Sequence, residues 1–172
     1  MELQTNEAER LAALVSYGIL DTEFEETYDR ITRLAAKIFD APISLVSLVD
    51  DKRQWFKSAY GLGSRETPRE YAFCDHAIRQ QGVYLVPNAY ESDLFKDNPL
   101  VTGTPNVVFY AGAPLVNPNG FALGTLCVID HQPRDGMSNA DQSILLEFAA
   151  LVVELMETRK ELRDLRCGRI AA

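Results

Sequence analysis

Cys74, Asp75 and His76 put a thiol, a carboxylate and an imidazole at three successive positions, the groups from which cysteine nucleophiles are assembled. The stretch from Cys74 to Ile78 fits one or two helical turns, and on a helix residues two apart point about 200° from each other. Cys74 and His76 therefore diverge, and the thiolate–imidazolium contact that such catalysis uses does not form within the triplet. The expectation is a structural or ligand-contacting role. Either Asp75 or the Phe73-Cys74 pair caps the short helix, and His76 faces a pocket or a backbone carbonyl. No residue is assigned to catalysis. A metal centre would have to gather Cys74, His76, Cys127 and His131 from separate segments, with Cys74/His76 as the one short-spaced pair, so no metal is expected. Cys74, Cys127 and Cys167 form no CxxC motif and leave an odd thiol under any pairing, which predicts reduced cysteines without a resolving partner. Gly112, Gly120 and Gly124 lie in or beside strands and fit close packing and a turn; none opens a phosphate-cradling loop. Arg69 and Glu70 read as a loop-fixing or solvated pair.

The elements that must carry these groups are legible in the hydrophobic pattern. Leu11, Leu14 and Val15 predict a helix over about 6–17, stopped by Gly18. Asp21-Thr22 then reads as a cap for a helix running to Phe39, with Phe24, Tyr28, Ile31, Leu34, Ala35 and Ile38 as its buried stripe. Ile43 to Val49 and Arg53 to Tyr60 form a hairpin, and a loop-rich middle follows, with a short strand at Val83 to Val86 and a helical turn near Leu100. Val107 to Val116 and Phe121 to Ile129 pair through Asn117-Pro118-Asn119-Gly120. A long helix over about 141–166, capped at Ser138, ends the pattern. Leu151, Leu155, Thr158, Leu162 and Leu165 recur along it at four and three residues, a seam suited to a partner helix. The order predicts an α+β fold: a central antiparallel sheet of five to six strands, terminal helices on one face and the irregular middle on the other.

The 172 residues fit one domain, set at 1–172 with a core of about 20–155. A net charge of −8 disfavours nucleic acid and anionic membranes as partners. No apolar run approaches a membrane span and the first ten residues lack signal-peptide order, so the expected location is cytoplasmic.

Several longer words stand in one order: ILDT from Ile19, PISLVSLVD from Pro42, RQWFKS from Arg53, ETPRE from Glu66, AFCDHAI from Ala72, FKDNPLVTG from Phe95, FYAGAPL from Phe109 and LGTLCVID from Leu123. In these the chain resembles the GAF family, in particular bacterial members found alone or ahead of diguanylate cyclase and histidine kinase modules. The resemblance implies a ligand pocket between the sheet and the loop-rich face, with Ser47, Phe56, Cys74, Asp75, His76, Tyr110 and Thr125 as its candidate residues. Two positions depart from the family pattern: Val107-Val108 stand where relatives commonly carry arginine, and Asn88 where they often carry aspartate. The NKFDE-type signature of cyclic-nucleotide binders and the chromophore-attachment context of phytochromes are absent, so the cofactor and the small-molecule ligand stay open.

These readings converge on a small-molecule-sensing or regulatory domain of bacterial signal transduction. It would be a homodimer through Leu151, Leu155, Leu162 and Leu165, addressing a downstream signalling effector. One alternative is a cysteine-dependent free methionine-R-sulfoxide reductase, although the IACD context of that branch is missing. The other is a dimerisation scaffold whose pocket is filled.

Overall fold

The structure, a computed structural model, describes residues 6–168; the outer ends of the 1–172 span lie outside the described residues. Two helices lead, α1 (Glu7–Ser16) and α2 (Glu26–Ile38), followed by strands β1 (Ile43–Val49), β2 (Arg53–Tyr60) and β3 (Glu66–Pro68). The short helix α3 (Phe73–Ala77), strand β4 (Tyr84–Val86) and the single turn α4 (Pro99–Thr102) occupy the middle. Strands β5 (Phe109–Val116) and β6 (Ala122–Asp130) precede the long helix α5 (Asn139–Arg166). All strand pairs are antiparallel, in the order β3-β2-β1-β6-β5-β4.

The sheet separates two cores because each strand alternates its side chains. Trp55, Phe109, Val46, Leu48 and Val128 face Leu14, Tyr28, Leu145, Val152 and Met156 of the helices. Phe56, Tyr110, Leu45, Cys127 and Ile129 face Phe73, Cys74, Phe95 and Val101 of the irregular middle. The expected α+β sandwich is therefore present, with α1, α2 and α5 on one face and α3 and α4 on the other.

Local chemistry accounts for the β5–β6 turn. Pro118 and Asn119 form its corner, Gly120 takes φ 86°, and the Asn117 side chain accepts from the Phe121 amide at 2.9 Å. A left-handed backbone at that position is where glycine is favoured. Ser138 caps α5, its hydroxyl accepting from the Asp141 amide at 3.1 Å. With 28 residues, α5 is about 42 Å long. No helix among the described residues is long and apolar enough to cross a membrane.

Two expectations need correction. Asp21-Thr22 does not cap α2: Asp21 has φ 59°, the helix begins at Glu26, and the Thr22 hydroxyl donates to the Ile19 carbonyl instead. With the start moved, the buried stripe is Tyr28, Ile31, Thr32, Ala35 and Ala36, while Leu34 and Ile38 are exposed and Phe24 lies under the Arg65 guanidinium. Strand β3 lies within the expected loop-rich middle, since Glu66 to Pro68 has no alternation. It is an edge strand held by Arg53, Gln54 and Trp55, and Pro68 is tolerated because an edge needs no second donor row.

Candidate functional site

On the face of the sheet that α3 and α4 cover as a lid, strand register assembles one polar patch in an apolar surround. Ser47 stands opposite both Phe56 and Thr125, and one row further along Cys127 stands opposite Leu45 and Gly112. Gly112 leaves room for the Tyr110 ring to fold along its own strand: a Cβ at Gly112 would lie 2.2 Å from the Tyr110 hydroxyl oxygen. That oxygen is thereby carried over the row that holds Cys127.

Helix α3 completes the patch from above. Phe73 stacks on Phe95 with ring centres 4.0 Å apart and leans on Tyr110, which anchors the helix on the sheet. Cys74 then points down, its sulfur accepting from the Thr125 hydroxyl at 3.1 Å and from the Tyr110 hydroxyl at 3.3 Å. Cys127 lies on the wall of the same cavity. Burial pushes the Cys74 thiol up, but the hydrogen bonds from Cys127, Thr125 and Tyr110 outweigh it and bring the group down. Cys127 moves the other way, raised by its hydrogen bond to Cys74 and by burial. Gln54 continues the polar chain, accepting from Ser47 at 3.3 Å and donating to Thr67 at 2.6 Å.

A partly open cavity of about 30 Å³ lies here, with Cys74, Cys127, Tyr110 and Phe56 on its walls and Leu62 and Leu100 from the covering segments. That is room for no more than a few waters, against several hundred Å³ for a site that holds a metabolite. Val107 is buried in the same wall. Asn88 has a local task, its side chain accepting from the Tyr90 amide at 3.2 Å.

The predicted site residues thus divide. Ser47, Phe56, Cys74, Tyr110 and Thr125 converge on the lid face, whereas Asp75 and His76 leave it. Asp75 turns outward between Arg69 and Arg79, at 2.7 Å from each. Burial raises its carboxyl, and the two guanidinium groups more than reverse this. His76 stands edge-on to Phe95 at 5.1 Å and borders an open cleft with Lys52 and Arg69; burial lowers its pKa while Asp75 opposes. Cys74 and His76 share no hydrogen bond among those of the described residues, as the helical spacing requires. Among the described residues no three metal-ligating side chains meet. Cys74 and Cys127 are both free thiols on the wall of one cavity, and Cys127 takes that place because it lies two positions after Thr125 on the same sheet face. Arg69 also differs from its reading, since it bonds Glu7 and Asp75 and not Glu70.

On the opposite face, the seam of α5 is largely uncovered. Leu151, Leu162 and Leu165 are 47%, 50% and 55% exposed, and Leu155 is half-buried against the helix-side core. Ile144, also exposed, and half-buried Phe148 extend the same four-three spacing toward the start of the helix. The N-terminal segment packs on another side of α5. Tyr17 donates to Glu157, and Arg159 and Arg163 donate to the carbonyls of Gly18 and Ser16 at 3.0 and 2.9 Å.

Comparison with known proteins accords with this architecture. The chain is 41% identical over 153 residues to the cyclic di-GMP phosphodiesterase PA2567 of Pseudomonas aeruginosa; the match covers 89% of this chain and 26% of that protein, so the chain spans about a quarter of that relative. The fold is similar to the GAF domain of an Acinetobacter phosphoenolpyruvate-protein phosphotransferase, with a TM-score of 0.64 at 18% identity, covering 90% of this chain and 95% of that one. It is also similar to a domain of a putative two-component sensor histidine kinase from Sinorhizobium meliloti, with a TM-score of 0.61 at 16% identity, covering 87% of this chain and all of that one. The family model for the GAF domain matches residues 23–154. With its sheet, its lid and most of its length accounted for by that match, the chain belongs to the GAF domain family.

Proposed function

We infer that this chain is the regulatory module of a cytoplasmic bacterial signalling protein, working as a pair of copies joined along α5. The observation that carries the reading is the run of exposed leucines on α5, at the four-three spacing of a coiled-coil seam, beside a domain whose own core is already filled. Its kinship with part of a cyclic di-GMP phosphodiesterase supports an effector of the signalling-enzyme kind.

The input is a small molecule taken at the lid face. A metabolite needs more room than the present cavity, so binding has to displace the segments that carry Leu62 and Leu100. Contacts that would pass such a displacement to the output helices are present. Asp75 of α3 and Glu7 of α1 share Arg69, and α1 leads into the segment that Glu157, Arg159 and Arg163 hold against α5. Native mass spectrometry of protein taken from its host cytosol tests the input, with a retained small molecule expected at one per chain.

The small cavity favours a second reading, a dimerisation scaffold without a ligand. In that case native spectra carry no added mass, no metabolite raises the melting temperature, and dimerisation persists.

A further inference from the structure

We propose that Cys74 and Cys127 are a peroxide-oxidisable pair that closes to a disulfide across the lid face, with hydrogen peroxide as the substrate that fits the chamber between them. The inference stands apart from the sensing role, because it needs neither a metabolite nor a second copy.

Three features carry it. Both thiols are buried walls of one cavity, and its volume of about 30 Å³ suits a solute only slightly larger than water. Cys74 from α3 and Cys127 from β6 face that same cavity, so a sulfenic acid on one forms facing the other. The Thr125 and Tyr110 hydroxyls donate to Cys74 at 3.1 and 3.3 Å, which marks Cys74 as the sulfur that holds negative charge and attacks first.

The chemistry balances with no further reagent. The Cys74 thiolate attacks one peroxide oxygen; the S–O bond forms, the O–O bond breaks, and the departing hydroxide takes a proton to leave as water. Cys74 is now a neutral sulfenic acid, and the thiolate charge and hydrogen bond that held the Cys127 proton in place are gone. The Cys127 sulfur then attacks the Cys74 sulfur; the S–S bond forms, the S–O bond breaks, and hydroxide leaves with the Cys127 proton as a second water. Two thiols have lost two electrons and two protons, and one peroxide has become two waters. Because the cross-link ties α3 to β6, it locks the lid on the sheet.

The test uses the full chain with Cys167→Ser, which removes the exposed thiol. After a brief treatment with hydrogen peroxide, the protein is denatured in N-ethylmaleimide, weighed and mapped. A mass about 2 Da lower, no maleimide on Cys74 or Cys127, a peptide joining the two, and full reversal by dithiothreitol are expected. In Cys127→Ser, dimedone should trap a sulfenic acid on Cys74. A bulky organic hydroperoxide should oxidise the pair more than an order of magnitude more slowly. Maleimide on both cysteines after peroxide treatment would overturn the proposal, as would sulfinic acid on Cys74 with Cys127 left free, or equal rates with the bulky peroxide. If the serine variant does not fold, the peptide map of the parent chain decides alone.

Discussion

Arg69 grips Asp75 of α3 at 2.7 Å with one part of its guanidinium and Glu7 of α1 at 2.7 Å with another, so one side chain joins the lid on one face of the sheet to the helical layer on the other. It also donates to the Asp50 carbonyl at 3.0 Å, which fixes it to the β1–β2 turn.

Arg69→Ala should therefore loosen both helices at once. A loss on the order of 1–2 kcal/mol in urea unfolding is expected, since the bonds are charge-assisted but Glu7 is half-exposed and screened. Hydrogen exchange should quicken in both α1 and α3. Arg69→Lys should restore little of it, because an ammonium cannot reach three acceptors in the same fork. Faster exchange in α1 alone would show that the bridge does not act as one unit.

The Glu7 carboxyl is held at about 2, below its ordinary 4.5, chiefly by Arg10 and further by Arg69, against the opposing effect of burial. A carboxyl lowered on folding adds stability that is complete above its unfolded value and disappears as pH falls through the folded one. The stability difference between the parent chain and Glu7→Gln should thus be full at pH 6, shrink below about pH 4.5 and vanish near pH 2. Unfolding midpoints at pH 6, 4 and 3 provide the check; a difference independent of pH would remove Glu7 from the docking of α1.

Along α5, Leu162→Glu with Leu165→Glu should convert a dimer at tens of micromolar into a monomer by sedimentation equilibrium. Both leucines are at least half exposed, so the domain itself should keep its melting temperature, whereas a change at half-buried Leu155 would also disturb the core. A parent chain that sediments as a monomer, or a double variant that still pairs, would exclude this interface.

Gly124→Ala should cost more than Gly112→Ala. At Gly124 a Cβ would lie 1.9 Å from the Ser47 carbonyl oxygen and 2.8 Å from the Leu48 Cα, so β1 itself would have to move. At Gly112 the obstacle is the tip of Tyr110, which can swing at a cost of about 1–3 kcal/mol and a shift of its bond to Cys74. Thermal melts of the two variants rank them, and an equal loss would mean that the Tyr110 ring is as immovable as a strand.

N-ethylmaleimide at neutral pH should label Cys167 quickly and Cys74 and Cys127 on the order of a hundredfold more slowly, because labelling of the buried pair waits for local opening of the lid. Mass mapping over time separates the three sites. Rapid labelling of Cys74 in the native chain would mean that the lid stands open in solution.

The sequence alone determined whatever depends on near neighbours in the chain. The β1 and β2 hairpin, the Asn117–Gly120 turn, the cap at Ser138 and the four-three seam of α5 are all written in spacings of a few residues, where backbone preference and side-chain period act directly. Only the tertiary structure decided which distant groups meet. Thr125 reaches Cys74 across 51 positions, and Arg69 reaches Glu7 across 62. Those meetings depend on strand register, on the order β2-β1-β6-β5 and on the seating of α3 by Phe73 and Phe95. The same holds for the start of α2 and for edge strand β3, where a partner backbone decided against what local propensity offers. Cavity size lies furthest from the sequence, because it is the small volume left over after every packed side chain on that face has found its place.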